Sequence, residues 1–500
     1  MSYFIRYQKI LSVTLMGFFL FSGISTFAQQ FDFNANCRNA YNAILALKVE
    51  EGKKLLQQEA RQNSDNLIVP YLENYADFLT AYATDTRYVY ENLKRNKEVR
   101  LVNIGSGDMS SPYYLYTQAE INLQWAALSI KFGDYMSAIF EIKKAFNLLE
   151  ENQKKFPAFK PNEKSLGVLY ALIGSVPDKY KWGVNLLGME GSVAKGLGML
   201  ENLVNYSKKI DFIFKDETVI YYSLLLFQLQ NEKERAWTVL LENGFPKNEN
   251  LLTAYACAHI GIYGKHNDDA LKILEQIKPS DAYILFPHLN YLAGLAKLHR
   301  LEYDADTYFK QFLVMNKGDN HIKSSYQKIA WTYLLRGDTV NYAHFMNKAE
   351  NLGGSMLEAD KQAQREAESN KIPDKQLLQA RLLFDGNYFQ RAVDMLLAIN
   401  QKTLSSTEDQ TEYLYRLGRV YDDWNKKDSA LVYYQYTIDK GKDLPRYFAA
   451  NAAYESGKIM EQRNEMDKAK AFYLKCISFE QHEYKNGLDQ KAKAALNRLK

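Results

Sequence analysis

Residues 414–438, "LYRLGRVYDDWNKKDSALVYYQYTI", and residues 453–477, "AYESGKIMEQRNEMDKAKAFYLKCI", align without a gap. Gly418 falls on Gly457, Ala430 on Ala469 and Tyr434 on Tyr473, each pair 39 residues apart. A small residue in mid-helix lets a neighbouring helix come close, and the alanine twelve residues later does the same on a second helix. Self-similarity at such a period marks a stacked repeat, so the spacing predicts a succession of helix pairs.

Further copies lie upstream. In "NLQWAALSIKFGDYMSAIFEIKKAF" (122–146) the matching residues are Ala126, Gly133-Asp134-Tyr135, Ala138 and Ala145. In "YQKIAWTYLLRGDTVNYAHFMNKAE" (326–350) they are Tyr326, Ala330, Tyr333, Gly337-Asp338 and Ala349, with Tyr342 where the pattern has alanine. Degenerate copies occupy "IGIYGKHNDDALKILEQI" (260–277), "GLAKLHRLEYDADTYFKQFL" (294–313) and "LLFDGNYFQRAVDMLLAI" (382–399). With these residues the chain resembles the tetratricopeptide repeat proteins. The resemblance implies an all-α fold, an α-solenoid of stacked antiparallel helix pairs wound into a superhelix, and says little of function. It also implies a recognition surface on the first helix of each pair. Carried onto this sequence, that surface comprises Tyr415, Arg419, Asp422 and Asp423, then Tyr454, Lys458, Glu461 and Gln462, with Trp331 in a third repeat.

Elementary patterning agrees. In "SAIFEIKKAFNLL" the apolar residues Ala138, Ile139, Ile142, Ala145, Phe146 and Leu149 recur every three or four positions, which makes an amphipathic helix. Ser111-Pro112 supplies an N-cap followed by proline at the first helical position. Sustained alternation with hairpin turns is missing, so no sheet domain is expected. Five hundred residues with only 10 prolines suit an open array of long helices better than one compact core.

The first 28 residues read as a secretory signal. Arg6 and Lys9 form a positive start, Ile10 to Phe21 an apolar run, and Thr26-Phe27-Ala28 a cleavage site ahead of Gln29. The ending "FAQQ" resembles exported proteins of Bacteroidota, which implies the periplasm or outer-membrane periphery. The first cysteine, Cys37, lies in the polar "FNANCRN" and does not suit a lipid anchor. Removing residues 1–28 lowers the formal charge from +4 to +2, and so balanced a surface argues against nucleic acid as the main partner. Cys37, Cys257 and Cys476 are too few and too far apart for a disulfide framework and read as small buried apolar residues.

Seven glycines fall between Gly167 and Gly198. Gly191-Ser-Val-Ala-Lys195-Gly196 reverses the order a phosphate loop requires, because the lysine precedes the second glycine and no hydroxyl follows. Helix punctuation explains the stretch better: Gly188 as a left-handed cap, Gly191 as a turn, Ser192 as the cap of a helix from Val193, and Gly196 and Gly198 as points of close helix packing. "GSVPDKYKWGVNLLGMEGSVAKGLGMLENL" is also similar to the inclusion-body clearance proteins at Pro177, Leu187-Gly188, Gly191 and Gly196-Leu197, which implies a shared helical scaffold with a lipid or aggregate connection.

Searches for chemistry return little. Ser192-x-x-Lys195 lacks the Lys-Thr-Gly or Lys-Ser-Gly element of penicillin-recognising enzymes. The seven histidines form no His-Glu-x-x-His, and His259 with His266 flank a turn at Gly264. No cofactor or metal is therefore expected. The chain divides into a signal (1–28), N-terminal repeats (29–160), an atypical glycine-rich segment (161–215), central repeats (216–360) and C-terminal repeats (361–500), with a loop at 103–112 and a polar stretch at 353–375 that reads either as an exposed helix or as a join between two halves. The expected role is a non-enzymatic scaffold or adaptor that binds a protein or peptide in the cell envelope. The alternative is an outer-membrane-associated glycan-binding protein resembling the starch-binding lipoproteins, with aromatic rings for sugar stacking.

Overall fold

A computed structural model describes residues 30–176, 187–247, 249–278, 280–284 and 286–499. The signal reading of 1–28 and the Pro177 match lie outside them. Among the described residues there is no strand, only one isolated bridge between Gln30 and Asn66. Two compact units divide the chain, residues 30–79 with 91–192 and residues 80–90 with 193–499. The protein is all-α, a solenoid-type succession of antiparallel helix pairs.

The first unit draws on α1 (Ala35–Leu45), α2 (Val49–Gln62), α3 (Ile68–Thr84), α4 (Arg87–Lys94), α5 (Asn96–Gly105), α6 (Pro112–Lys131), α7 (Tyr135–Lys155) and α8 (Pro161–Gly174). The end of α3 and the start of α4 belong to the second unit. As expected, the Ser111 side chain accepts from the Tyr113 N–H and Pro112 opens α6. The expected loop at 103–112 is shorter than its polarity suggested, since α5 runs to Gly105.

The second unit continues with α9 (Val193–Ser207), α10 (Lys215–Leu225), α11 (Lys233–Glu242), α12 (Leu251–Tyr263), α13 (Asn267–Glu275), the single turn α14 (Asp281–Ile284), α15 (His288–His299), α16 (Ala305–Met315), α17 (Ile322–Leu335) and α18 (Thr339–Asn351). It closes with α19 (Glu358–Glu368), α20 (Lys375–Asp385), α21 (Phe389–Leu397), α22 (Thr407–Asp423), α23 (Lys427–Gly441), α24 (Phe448–Gln462), α25 (Met466–Ser478) and α26 (Lys485–Arg498).

One turn recurs in hairpin after hairpin. The link between paired helices holds a single residue at positive φ: Gly133, Lys265, Leu301, Gly337, Asn387, Asn425 and Asn464. The next N–H then reaches back five residues, as from Asp338 to the Tyr333 carbonyl at 2.9 Å and from Lys426 to the Tyr421 carbonyl at 2.8 Å. This left-handed closure satisfies the last carbonyls of the first helix and reverses the chain. Gly-Asp in two copies adds a cap, since Asp338 accepts from the Asn341 N–H at 2.9 Å.

The repeat that decided the fold packs as the alignment requires. A Cβ on Gly418 would lie 2.5 Å from the Tyr434 ring, and one on Gly457 2.6 Å from the Tyr473 ring. Glycine is there so that the tyrosine of the second helix can lie flat on the first. Gly294 faces Phe309 in the same manner, its virtual Cβ 3.0 Å from the ring.

One packing expectation needs correction. Gly198 has nothing within 4 Å of a virtual Cβ, so it marks no close packing. The close approach is at Gly191, where a Cβ would fall 2.2 Å from the Gly174 nitrogen, and the Ser192 N–H donates to the Tyr170 carbonyl at 2.9 Å. Gly188, at φ +62°, has the left-handed conformation expected of a cap. Within the polar stretch at 353–375, residues Glu358–Glu368 form α19, the helical alternative. Asp360 of α19 accepts from the His321 and Ser324 N–H groups at 2.8 and 2.9 Å, capping α17 from a separate element. All three cysteines are free and buried, and burial pushes each thiol up to about 12.

Candidate functional site

Three first helices of their pairs, α17, α22 and α24, carry the residues that the repeat pattern assigns to recognition. Four of these residues serve the fold. Trp331 is buried and its Nε1–H donates to Glu366 at 2.7 Å. Tyr415 is also buried; its hydroxyl accepts from Asn451 Nδ2 at 2.5 Å and its ring centre is 5.1 Å from that of Phe448. Asp422 accepts from the Tyr434 hydroxyl at 2.9 Å and from Lys427 at 2.6 Å. Glu461, 39 residues on, accepts from the Tyr473 hydroxyl at 2.5 Å. The glycine, the tyrosine that covers it and the acid that accepts the tyrosine's hydrogen bond form one lock, used twice.

The remaining predicted residues reach solvent. Lys458 and Gln462 are exposed, and Arg419, Asp423 and Tyr454 are half-buried. Lys458 pairs with Glu455 at 2.8 Å, while Arg419 stays 3.8 Å from the other oxygen of that carboxylate. Arg419 lies over the Phe384 ring at 5.3 Å, and Tyr454 leans on Tyr473 with ring centres 5.7 Å apart.

Within the second unit the stack curls back so that distant residues join this face. Lys265 Nζ lies 3.9 Å from Asp423, and the Tyr388 hydroxyl donates to Asp268 at 2.6 Å. Lys233, at the start of α11, donates to the Tyr263 carbonyl at 2.8 Å. Burial holds the Lys233 ammonium below its ordinary range; Asp423 opposes the shift, and Lys265 and Arg419 add to it. Arg381 and Lys328 flank the Trp331 ring at 5.1 and 4.4 Å. Lys328 is buried, which together with the charge of Arg381 pushes it down to about 8 against the pull of Glu366, Asp360 and Asp385. These four cations escaped the sequence reading, because no repeat position singles them out, and Lys233, Lys265 and Arg381 reach the face from other helix pairs.

The histidines belong to the aromatic packing. His266 stacks on Trp237 at 4.7 Å and meets Glu234 at 3.0 Å, while His259 lies among Tyr255, Tyr263 and Phe227. Burial pulls His259 down to about 4, so it is neutral at ordinary pH. Among the described residues no helix is long and apolar enough to cross a membrane.

No protein-family model matches the chain. No curated protein matches it either. Solved structures with a similar run of helix pairs include an IFIT1 monomeric mutant with m7Gppp-AAAA, at 15% identity and TM-score 0.28, covering 84% of this chain and 90% of that one. The TPR domain of P58(IPK) is similar at 12% identity and TM-score 0.21, over 82% of this chain and 97% of the other. Naa15/Naa10 bound to HypK-THB is similar at 14% identity and TM-score 0.22, over 93% and 66%. At such scores nothing about ligands carries across, and the class of fold rests on the hairpins themselves: tetratricopeptide-like pairs, closed by one left-handed residue and packed glycine against ring.

Proposed function

We propose that this is an exported, non-catalytic scaffold of the cell envelope that holds a protein or peptide partner on the first-helix face of its second unit. The observation that carries the reading is the division of labour on that face. Trp331, Tyr415, Asp422 and Glu461 hold the pairs together, while Arg419, Asp423, Tyr454, Lys458 and Gln462 keep solvent-facing surface between them. Arginine and tyrosine bury much area and still offer a polar end, as recognition surfaces require. Export is supported by Arg6, Lys9, the apolar run to Phe21 and Thr26-Phe27-Ala28.

The test is a crosslinking pull-down from native envelopes with C-terminally tagged full-length protein, beside an Arg419→Ala, Tyr454→Ala, Lys458→Ala variant. Loss of a partner from the variant, with helical circular dichroism unchanged, is the expected result. A partner held equally by both proteins would move the interface off this face. Retention on a glucan column with no protein captured would replace the reading with the glycan one.

A further inference from the structure

Three cations from three separate elements gather around one carboxylate in the second unit. Lys233 opens α11, Lys265 is the left-handed residue between α12 and α13 at φ 82°, and Arg419 belongs to α22. Asp423 is their shared counter-charge, and it touches Lys265 only at 3.9 Å. Glu455 is a second counter-charge for Arg419, at 3.8 Å, but it is shared with Lys458, which holds it at 2.8 Å. Among the described residues none of the three has a carboxylate oxygen within hydrogen-bond range, and Arg419 Nε is buried without an acceptor. Arg446 shows what a satisfied cation looks like in the same unit, clamped by Glu408 at 2.6 Å and Glu483 at 2.5 Å.

Aromatic rings line the same place. Lys233 lies 5.7 Å from the centre of Phe227, Arg419 5.3 Å from Phe384, and the Tyr263 whose carbonyl holds Lys233 is 41% exposed. Beside Phe227 and Tyr263, His259 has a buried Nδ1 with no hydrogen-bond partner. An excess of positive charge, an orphaned guanidinium nitrogen and an orphaned imidazole nitrogen are the features of a site built for an anion that is itself attached to apolar groups. A bare inorganic ion would satisfy the charge and leave the rings uncovered.

We propose that Lys233, Lys265 and Arg419 form the binding site for an acidic peptide segment, whose glutamate or aspartate carboxylates sit beside Asp423 while its apolar side chains rest on Phe227, Tyr263 and Phe384. The inference deepens the scaffold reading, on which it rests, by naming the chemistry of the partner. Asp423 then acts as a built-in competitor that keeps the cations in place when the site is empty.

Fluorescence anisotropy on the full chain, with a fluorescein-labelled peptide of alternating glutamate and phenylalanine, tests it. Charge reversal by Lys233→Glu with Lys265→Glu is expected to weaken binding by about tenfold or more, as loss of close charge pairs does. Asp423→Asn is expected to tighten it by about threefold, since one competing charge is removed. Lys491→Glu with Lys493→Glu, an equal charge change at exposed positions on α26, controls for net charge. Equal affinity in the two double variants, or equal binding of a lysine–phenylalanine peptide, overturns the site. Displacement of the peptide by inorganic pyrophosphate at lower concentration than the peptide itself requires also overturns it, in favour of a free polyphosphate ligand. An envelope partner retained by Lys233→Glu/Lys265→Glu would sink the anion site and leave the scaffold standing. Peptide binding as expected with no envelope protein captured would do the reverse.

Discussion

Two charged clusters, one in each unit, are treated in opposite ways. In the first, Lys164 and Glu120 are both buried and meet at 2.7 Å, with Ser165 donating to the second carboxylate oxygen. Lys97 and Glu141 repeat the arrangement at 2.8 Å, and buried Glu59 takes hydrogen bonds from Asn34, Asn36, Asn63 and Asn66. On the first-helix face of the second unit, Lys233, Lys265 and Arg419 are left with two distant carboxylates, Asp423 and Glu455. A charge that is buried and fully partnered serves the fold, because removing either partner is costly; a half-exposed charge with a loose partner is available to something else. The position of a charged residue in a repeat therefore says less about function than the distance to its counter-ion.

That contrast can be broken by mutation. Glu120→Ala strands Lys164 in the interior and is expected to cost about 3–5 kcal/mol in urea unfolding followed by circular dichroism. Asp423→Asn is expected to change stability by less than about 1 kcal/mol in the same assay, as exposed pairs do. A similar loss from both would remove the distinction between the units.

Acid should divide them as well. His299 is buried with its Nδ1 3.2 Å from Asn267 Oδ1, and burial first of all holds it down at about 4. The folded state therefore binds its proton less readily than the unfolded chain. The stability this contributes is present above pH 6.5 and lost as the pH falls from there towards 4, a swing of about 3 kcal/mol. Glu59 is lowered to about 2: burial opposes the shift and the four asparagine amides outweigh it, so its contribution survives to pH 4.5 and is lost only on the way down to 2. Hydrogen exchange between pH 7 and 4.5 is expected to show the α13–α15 region loosening before the α1–α2 pair. The opposite order would refute these assignments.

The glycine–tyrosine lock is expected to have a smaller effect. Gly418→Ala drives a methyl into the Tyr434 ring and should destabilise by about 1–3 kcal/mol, despite alanine's better helix propensity. The smallest change is favourable: Leu301, a left-handed leucine at φ 65°, should gain about 1 kcal/mol on replacement by glycine, whereas Asn425→Gly in the equivalent turn should gain little. An unchanged midpoint for Leu301→Gly would mean that the turn is held by contacts and not by backbone preference.

Much of the fold was legible because its signals are local. Gly133-Asp134 and Gly337-Asp338 announce turn and cap together, Ser111-Pro112 announces a helix start, and Gly418 with Tyr434 announces a helix pair. Asn387, Asn425 and Asn464 fill the left-handed position where glycine is absent, but Lys265 and Leu301 occupy it too, and no propensity argument would place them there. The 353–375 segment left a helix and a join equally open in the sequence, because its helix is polar almost throughout and buries only Asp360 and the small residues Ala363 and Ala367.

By itself the sequence determined that this protein is a succession of helix pairs, where most of the pairs begin and turn, and that its cysteines are core residues. Those properties depend on residues within one repeat of each other, and periodicity and turn chemistry record such distances. Only the tertiary structure decided which charged residues serve the fold and which face a ligand. Lys265 and Asp423 are 158 residues apart in the chain and 3.9 Å apart in space. Nothing in a local pattern carries that distance, because it is set by the small rotation added at each of the intervening helix pairs.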